Sequence, residues 1–208
     1  EHGIPLHTDA AQTVGKIPTR VDVLGVDLLT VAGHKFYAPK GIGALYVRDG
    51  TTLEPLIHGA GHEHGRRAGT ENALLAAALG EACRLASDLS CMDRIAALRD
   101  RLWDALSDRY GANVVLNGHP VHRLPNTLNV SFLGHAGAEI LEGLNGVAAS
   151  TGSACHEGRM ELSPVLEAMA VPVDVGTGAV RFSLGRATTA EEIDAVVAMI
   201  SDLIPRPA

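Results

Sequence analysis

The sequence predicts an α/β protein in two parts, a mostly parallel sheet with helices over residues 1–90 and a smaller α/β domain over residues 91–208. The first observation is that short β-type runs alternate with helical patterns along most of the chain. The second is a polar break at Ser87 to Cys91, lying between two helical patterns, which marks the boundary. The third is the run Val31-Ala32-Gly33-His34-Lys35, which sets a lysine at a strand exit, where open α/β sheets bind ligands. With 208 residues, 46% of them hydrophobic and 20% charged, the chain is long enough and apolar enough to bury such a core.

The chain begins at Glu1 and enters a β-type segment, Ile4 to Asp9, almost at once. Few strand candidates precede the helical section, whereas a parallel sheet covered on both faces needs several βαβ units, so further sequence upstream is expected. Asp9 ends the first β-type segment and the amide of Gln12 follows it. A carboxylate in that position can pair with a cationic or protonated group such as a pyridine nitrogen; the alternative is a turn-former or helix cap. Residues 13–27 connect, with Gly15, Pro18 and Gly25 marking turns. Strands are expected over 28–31 and 42–48, on either side of the Gly33-His34-Lys35 corner and the Pro39-Lys40-Gly41 turn. A lysine held over a pocket there can be desolvated and made nucleophilic toward aldehydes, the alternative being a solvated surface lysine.

Leu56 to Asn72 is rich in Gly, Arg and hydroxyl residues, supplying the backbone N–H groups and positive charge that phosphate binding requires. His58, His62 and His64 raise a metal-site reading, but the intervening glycines fix no helical face and no carboxylate-rich partner follows. From Asn72 the residues Leu75, Ala78, Leu79, Ala82 and Leu85 recur at helical spacing, and Cys83, set among them, is expected in the core. Beyond the break, Ile95, Leu98, Leu102, Leu106 and Tyr110 predict an amphipathic helix ending at Gly111. Strands follow over 113–116 and 127–132, then a helix near 136–144 and a strand over 147–150.

Ser150 to Arg159 reads as a mobile loop in which Cys155, among Gly, Ser and Ala, is accessible. At an ordinary thiol pKa of about 8.5, Cys155 needs His156, Arg159 or a cofactor to activate it; the alternative is an incidental small residue. Ala179 to Leu184 alternates like a strand and carries Arg181, whose guanidinium suits two-point binding of a carboxylate. Pairing with a surface acid is the alternative role for Arg181, and Arg186 is the rival residue. The last helix opens with a capping box, Thr189 with Glu192, and lines Ile193, Val196, Val197, Ile200 and Leu203 along one face.

A net charge of -7, with no basic run or stripe, argues against nucleic acid and for a small-molecule or protein partner. Cys83, Cys91 and Cys155 are odd in number and lack CxxC spacing, which supports neither a disulfide framework nor a metal site. No apolar run reaches membrane-spanning length and no signal-peptide pattern opens the chain, so the expectation is a cytoplasmic protein without a membrane partner.

Taken together, His7-Thr8-Asp9-Ala10-Ala11-Gln12, Gly33-His34-Lys35 with Pro39-Lys40-Gly41-Ile42-Gly43, Arg67-Ala68-Gly69-Thr70-Glu71-Asn72, Ser153-Ala154-Cys155 and Arg181-Phe182-Ser183-Leu184-Gly185-Arg186 resemble the pyridoxal-phosphate-dependent cysteine desulfurases, on the class-V aminotransferase fold. The resemblance runs nearly end to end. Cys155-His156, Ser163-Pro164-Val165-Leu166 and Val171-Pro172 are in addition similar to the selenocysteine lyase branch.

The resemblance implies that residues 1–90 are the latter part of the large cofactor domain and residues 91–208 the small C-terminal domain with the catalytic cysteine loop. It implies that Lys35 holds pyridoxal phosphate covalently and, once freed, shuttles the α-proton; that Asp9 pairs with the pyridine N–H; and that Gln12 reaches the phenolate and His34 the phosphate. Thr70 would reach the phosphate in a partner subunit of a homodimer, and Arg181 would bind the carboxylate of L-cysteine or L-selenocysteine. Cys155 would take the sulfur as a persulfide and pass it to an acceptor protein, for iron-sulfur cluster or other thio-cofactor assembly. Ala32 stands where many desulfurases carry a hydroxyl residue. The family's first phosphate loop, its ring-stacking histidine and an asparagine near the substrate fall in a half that would precede Glu1. Other readings are an aminotransferase or epimerase with Cys155 a bystander, and a truncated, non-catalytic dimerisation or binding module.

Overall fold

The apolar run after Gly25 becomes the middle strand of the first sheet in the computed structural model, which describes residues 3–151, 153–156 and 159–206, by backbone alone within 153–156 and 159–161. Strand β1 (His7–Asp9) pairs in parallel with β2 (Leu28–Ala32), and β2 pairs antiparallel with β3 (Gly43–Val47). β1 is shorter than the β-type run in the sequence. Pro5 has no N–H to give, and the Leu6 N–H goes to the Asp27 carboxylate at 2.9 Å. A one-turn helix, α1 (Val21–Leu24), links β1 to β2 and ends at Gly25, whose φ of 66° is the left-handed cap that glycine supplies.

Helix α2 (Ala73–Ala86) starts where the Asn72 side chain accepts the Leu75 N–H at 3.1 Å. Its inward face is Ala82 and Ala86, packed on Phe36 and Ala38, with Val14, Val31, Ile42 and Leu79 at the margin. Ala10, Val26 and Leu29 form a second buried cluster. Cys83, expected in the core, is exposed. It stands one position out of phase with the alanines that face inward, about 100° around the helix.

The second part begins with α3 (Met92–Tyr110), whose buried residues include Ile95, Leu98, Leu102, Leu106 and Tyr110, the stripe read from the sequence. Strands β4 (Val114–Leu116), β5 (Thr127–Phe132), β6 (Ser150–Thr151) and β9 (Ala179–Ser183) form an antiparallel sheet in the order β4-β5-β9-β6. Between β5 and β9 lie α4 (Gly137–Gly143), the hairpin of β7 (Ser153–His156) and β8 (Arg159–Leu162), α5 (Pro164–Ala168) and α6 (Val173–Gly176). Helix α7 (Ala190–Leu203) is the last of these elements and shows both hydrogen bonds of the Thr189–Glu192 capping box.

α3 and α7 are joined by a two-point ion pair, Arg101 to Asp194 at 2.6 and 2.8 Å, and by the Tyr110 hydroxyl, which donates to the carbonyls of Ile200 and Ile204. Leu106, Leu128, Val130, Val180 and Ile200 have no exposed surface. Each such side chain contributes on the order of 1.5–3 kcal/mol on leaving water. The chain folds as two compact units, Glu1–Ser90 and Cys91–Ala208.

Candidate active site

Asp9 lies opposite Thr30 in the parallel register of β1 and β2, so the carboxyl ends of both strands lie at one edge of the sheet. β2 runs on to Ala32 and then turns through a single 3-10 turn, Gly33–Lys35. Asp9, His34 and Lys35 therefore all emerge at that edge, with Gln12 in the turn that follows β1. All four side chains are exposed. Such an edge is where open α/β sheets place ligands.

The backbone on both sides of Lys35 is held by packing. Gly33 is buried; its N–H donates to the Ile42 carbonyl, and its carbonyl accepts from Phe36 and Ala38, all at 3.1 Å. A Cβ at Gly33 would stand 2.9 Å from the Ile42 oxygen and 3.0 Å from the Ala38 Cβ, so the corner requires glycine. Phe36, only 3% exposed, lies with Ala38 against α2. His34 and Lys35 are thus exposed between buried Gly33 and buried Phe36. Tyr37 follows at φ 76°, a left-handed conformation costly for a residue with a Cβ, and strain of this kind collects at ligand sites.

The carboxylate of Asp9 accepts the Ala11 N–H through Oδ1 at 2.8 Å, so the turn-forming role foreseen as an alternative is met while the group stays exposed. Nε2 of His7 and the Thr30 hydroxyl are 2.8 Å apart, a further tie between β1 and β2. Lys16, in the connection after β1, donates from Nζ to the Lys35 carbonyl at 3.3 Å. Burial first, and then the charge of Lys35, hold the Lys16 amine below the ordinary lysine pKa.

The Gly- and Arg-rich segment before α2 is ordered by its own polar groups. Arg67 donates from Nη1 to the Gly69 carbonyl at 2.6 Å and pairs through Nη2 with Glu63 at 3.1 Å, while the Gly69 N–H donates to Nδ1 of His62 at 3.2 Å. Thr70 is exposed, two residues ahead of the Asn72 cap. Among the described residues no group of three or more His, Cys, Asp and Glu side chains could hold a metal ion.

In the second unit, Arg181 is exposed on β9 between buried Val180 and Phe182, the alternation read from the sequence. Ser150 on β6 lies opposite it, and Nη2 of Arg181 donates to the Ser150 hydroxyl at 3.3 Å. β6 then leads toward the β7–β8 hairpin, where the backbone of Cys155 is paired with that of Met160. The stretch read as a mobile loop is thus partly strand: cross-strand pairing supplies order that its Gly-Ser-Ala composition does not announce. The Cys155 side chain lies outside the described residues. Arg186, the rival to Arg181, is half-buried, and its carbonyl accepts from Arg94 at 2.5 Å.

Residues 1–196 match the family described as Aminotransferase class-V. The chain belongs to that family. Its curated relatives there include cysteine desulfurase 2 of Trichormus variabilis, 47% identical over 98% of this chain and 52% of the relative, and the cysteine desulfurase IscS of Dictyoglomus turgidum, 45% identical over 99% of this chain and 53% of the relative. Among solved structures, a NifS-like protein superposes with a TM-score of 0.86 at 35% identity, over 96% of this chain and 52% of that one. A NifS-like protein from Rickettsia africae gives a TM-score of 0.85 at 29% identity, over 96% of this chain and 53% of that one. The chain spans about half the length of the curated relatives it matches. Class-V aminotransferases and cysteine desulfurases depend on pyridoxal phosphate, the cofactor that the motifs imply.

The side chains at the sheet edge suit such a group. A carboxylate, an amide, an imidazole and a primary amine can together meet a protonated ring nitrogen, a phenolate, a phosphate and an aldehyde. Two polar residues were passed over in the sequence: Lys16, bonded to the Lys35 carbonyl in the first unit, and Ser150, bonded to Arg181 in the second. A Gly-Lys pair at a turn close after Asp9 was the available signal for Lys16. Ser150 had none, since only strand pairing brings it to Arg181.

Proposed function

We propose that the protein is a cysteine desulfurase, which takes sulfur from L-cysteine, releases L-alanine and carries the sulfur as a persulfide on Cys155. The observation that carries this reading is the emergence of Asp9, His34 and Lys35 at one edge of the parallel β1–β2 pair. Bound pyridoxal phosphate supplies an electron sink for the carbanion at the amino-acid Cα.

The residues of this chain do the rest. Lys35 would hold the cofactor through its amine and, as a free amine, would accept the α-proton and hand it on. Asp9 keeps a proton on the ring nitrogen by placing a negative charge beside it, and its bond from the Ala11 N–H keeps the carboxylate oriented. Gln12 binds the phenolate oxygen and His34 the phosphate. Arg181, an exposed guanidinium already hydrogen-bonded to a hydroxyl, takes the substrate carboxylate in two-point fashion. The Cys155 thiolate attacks the substrate sulfur: an S–S bond forms, the C–S bond breaks, and the carbon keeps its electron pair and gains a proton to become alanine.

Thr70 reaches the phosphate of a second copy, which makes the working protein a homodimer, and the persulfide passes to an acceptor protein for iron-sulfur cluster or other thio-cofactor assembly. Cysteine is preferred to selenocysteine because the curated relatives carry the name cysteine desulfurase. A reactive free thiol suits the reducing cytoplasm. Residues 1–90 act as part of the large cofactor domain and residues 91–208 as the small domain. The test is to add pyridoxal phosphate, reduce with borohydride and map the modified peptide. Modification of Lys35 supports the reading; modification of other lysines with Lys35 untouched contradicts it.

A further inference from the structure

The turn after β1 carries a lysine that the mechanism above does not use. Lys16 ends a turn closed by its own N–H, which donates to the Thr13 carbonyl at 3.0 Å. Gly15, just before it, has φ 75°, and a Cβ there would stand 3.0 Å from the Ala86 Cβ, so the turn is seated tightly against α2. A surface lysine ordinarily lays its stem on the protein and carries its ammonium into water. Lys16 does not. It is half-buried, and its ammonium is turned onto the backbone carbonyl of Lys35, nineteen residues along the chain.

Burial and the Lys35 charge both act against a proton on Lys16, so its place is held at an electrostatic cost. The bond gives something in return: the carbonyls at the end of a short helical turn lack partners within it, and a lysine can supply one. We propose that Lys16 is a positioning residue for Lys35. By holding the Lys35 carbonyl it fixes the corner from which the reactive side chain starts, and ties that corner to the segment carrying Asp9 and Gln12. The proposal deepens the reading of Lys35 as the cofactor lysine and rests on it.

Lys16→Met keeps the stem and removes the donor; Lys16→Arg keeps a cationic donor. Two readouts separate positioning from chemistry. The first is hydrogen exchange at the Phe36 and Ala38 amides, both bonded to the Gly33 carbonyl, with the β2–β3 ladder amides as the control for global opening. The second is the fraction of Lys35 trapped by borohydride at a sub-saturating concentration of pyridoxal phosphate. Lys16→Met is expected to speed exchange at both amides, and to lower trapping, by about tenfold each, with the ladder unchanged and Lys16→Arg restoring both. Wild-type exchange in Lys16→Met, or reduced trapping that Arg does not restore, overturns the proposal. A response in exchange when wild-type Lys35 is never trapped upholds the positioning of the corner and removes instead the cofactor reading.

Discussion

Arg181 and Ser150 face each other across β9 and β6, and the guanidinium donates to the serine hydroxyl at 3.3 Å. At that length the contact is weaker than a charge-assisted bond to a carboxylate, which is shorter and about twice as strong. The serine thus holds the arginine loosely, and under the proposed function a substrate carboxylate would displace it. Removing the guanidinium with Arg181→Ala is expected to lower kcat/KM for L-cysteine by about a hundredfold, mostly through KM, while Ser150→Ala changes it by less than about fivefold. Steady-state kinetics on both variants checks this, and an unchanged KM in Arg181→Ala contradicts the assignment.

Asp9→Asn separates turn from charge. Asparagine keeps an oxygen to accept the Ala11 N–H, so the fold at the end of β1 survives. The negative charge that the proposed function sets beside the ring nitrogen is lost. Turnover is expected to fall by about a hundredfold or more with an unchanged far-ultraviolet circular dichroism spectrum.

Leu106 has no exposed surface and packs within the second unit. Leu106→Ala is expected to cost about 2–5 kcal/mol, read as a lowered midpoint in urea unfolding.

Acid sensitivity has named contributors. Glu81 is held below the ordinary carboxylate pKa by its hydrogen bond from Arg84, and Glu191 by backbone N–H and by Thr189 at the start of α7. A depressed carboxylate pKa contributes stability that is fully present above the unfolded-state value and is lost as pH falls through the lower folded value. Unfolding midpoints should therefore decline as pH drops below the ordinary glutamate range, and more shallowly in Glu81→Gln and Glu191→Gln. An identical acid slope in those variants contradicts this. Both groups are exposed, so the effect is small.

What was legible in the sequence was local. α7 carries its capping box and its apolar spacing within one short stretch, and α3 its stripe and its terminal Gly111. α2 misled because alanine and leucine surround most of it: Leu74 and Leu85 are exposed while Ala82 and Ala86 are buried, so spacing alone could not choose the inward face or place Cys83. The β7–β8 hairpin owes its order to pairing between segments of weak β-propensity. Asp9 and Lys35 could be read because each stands beside a strand end, yet their common edge follows from the parallel pairing of β1 with β2, which no local pattern encodes.

The most direct test of the central claim is to supply the protein, with pyridoxal phosphate, with L-cysteine labelled at sulfur, and to map the label by peptide mass while alanine is counted. The account predicts a persulfide on Cys155 and alanine in equal amount, both abolished by Lys35→Ala. Alanine formed with no label on Cys155, or at an undiminished rate in Lys35→Ala, would contradict it.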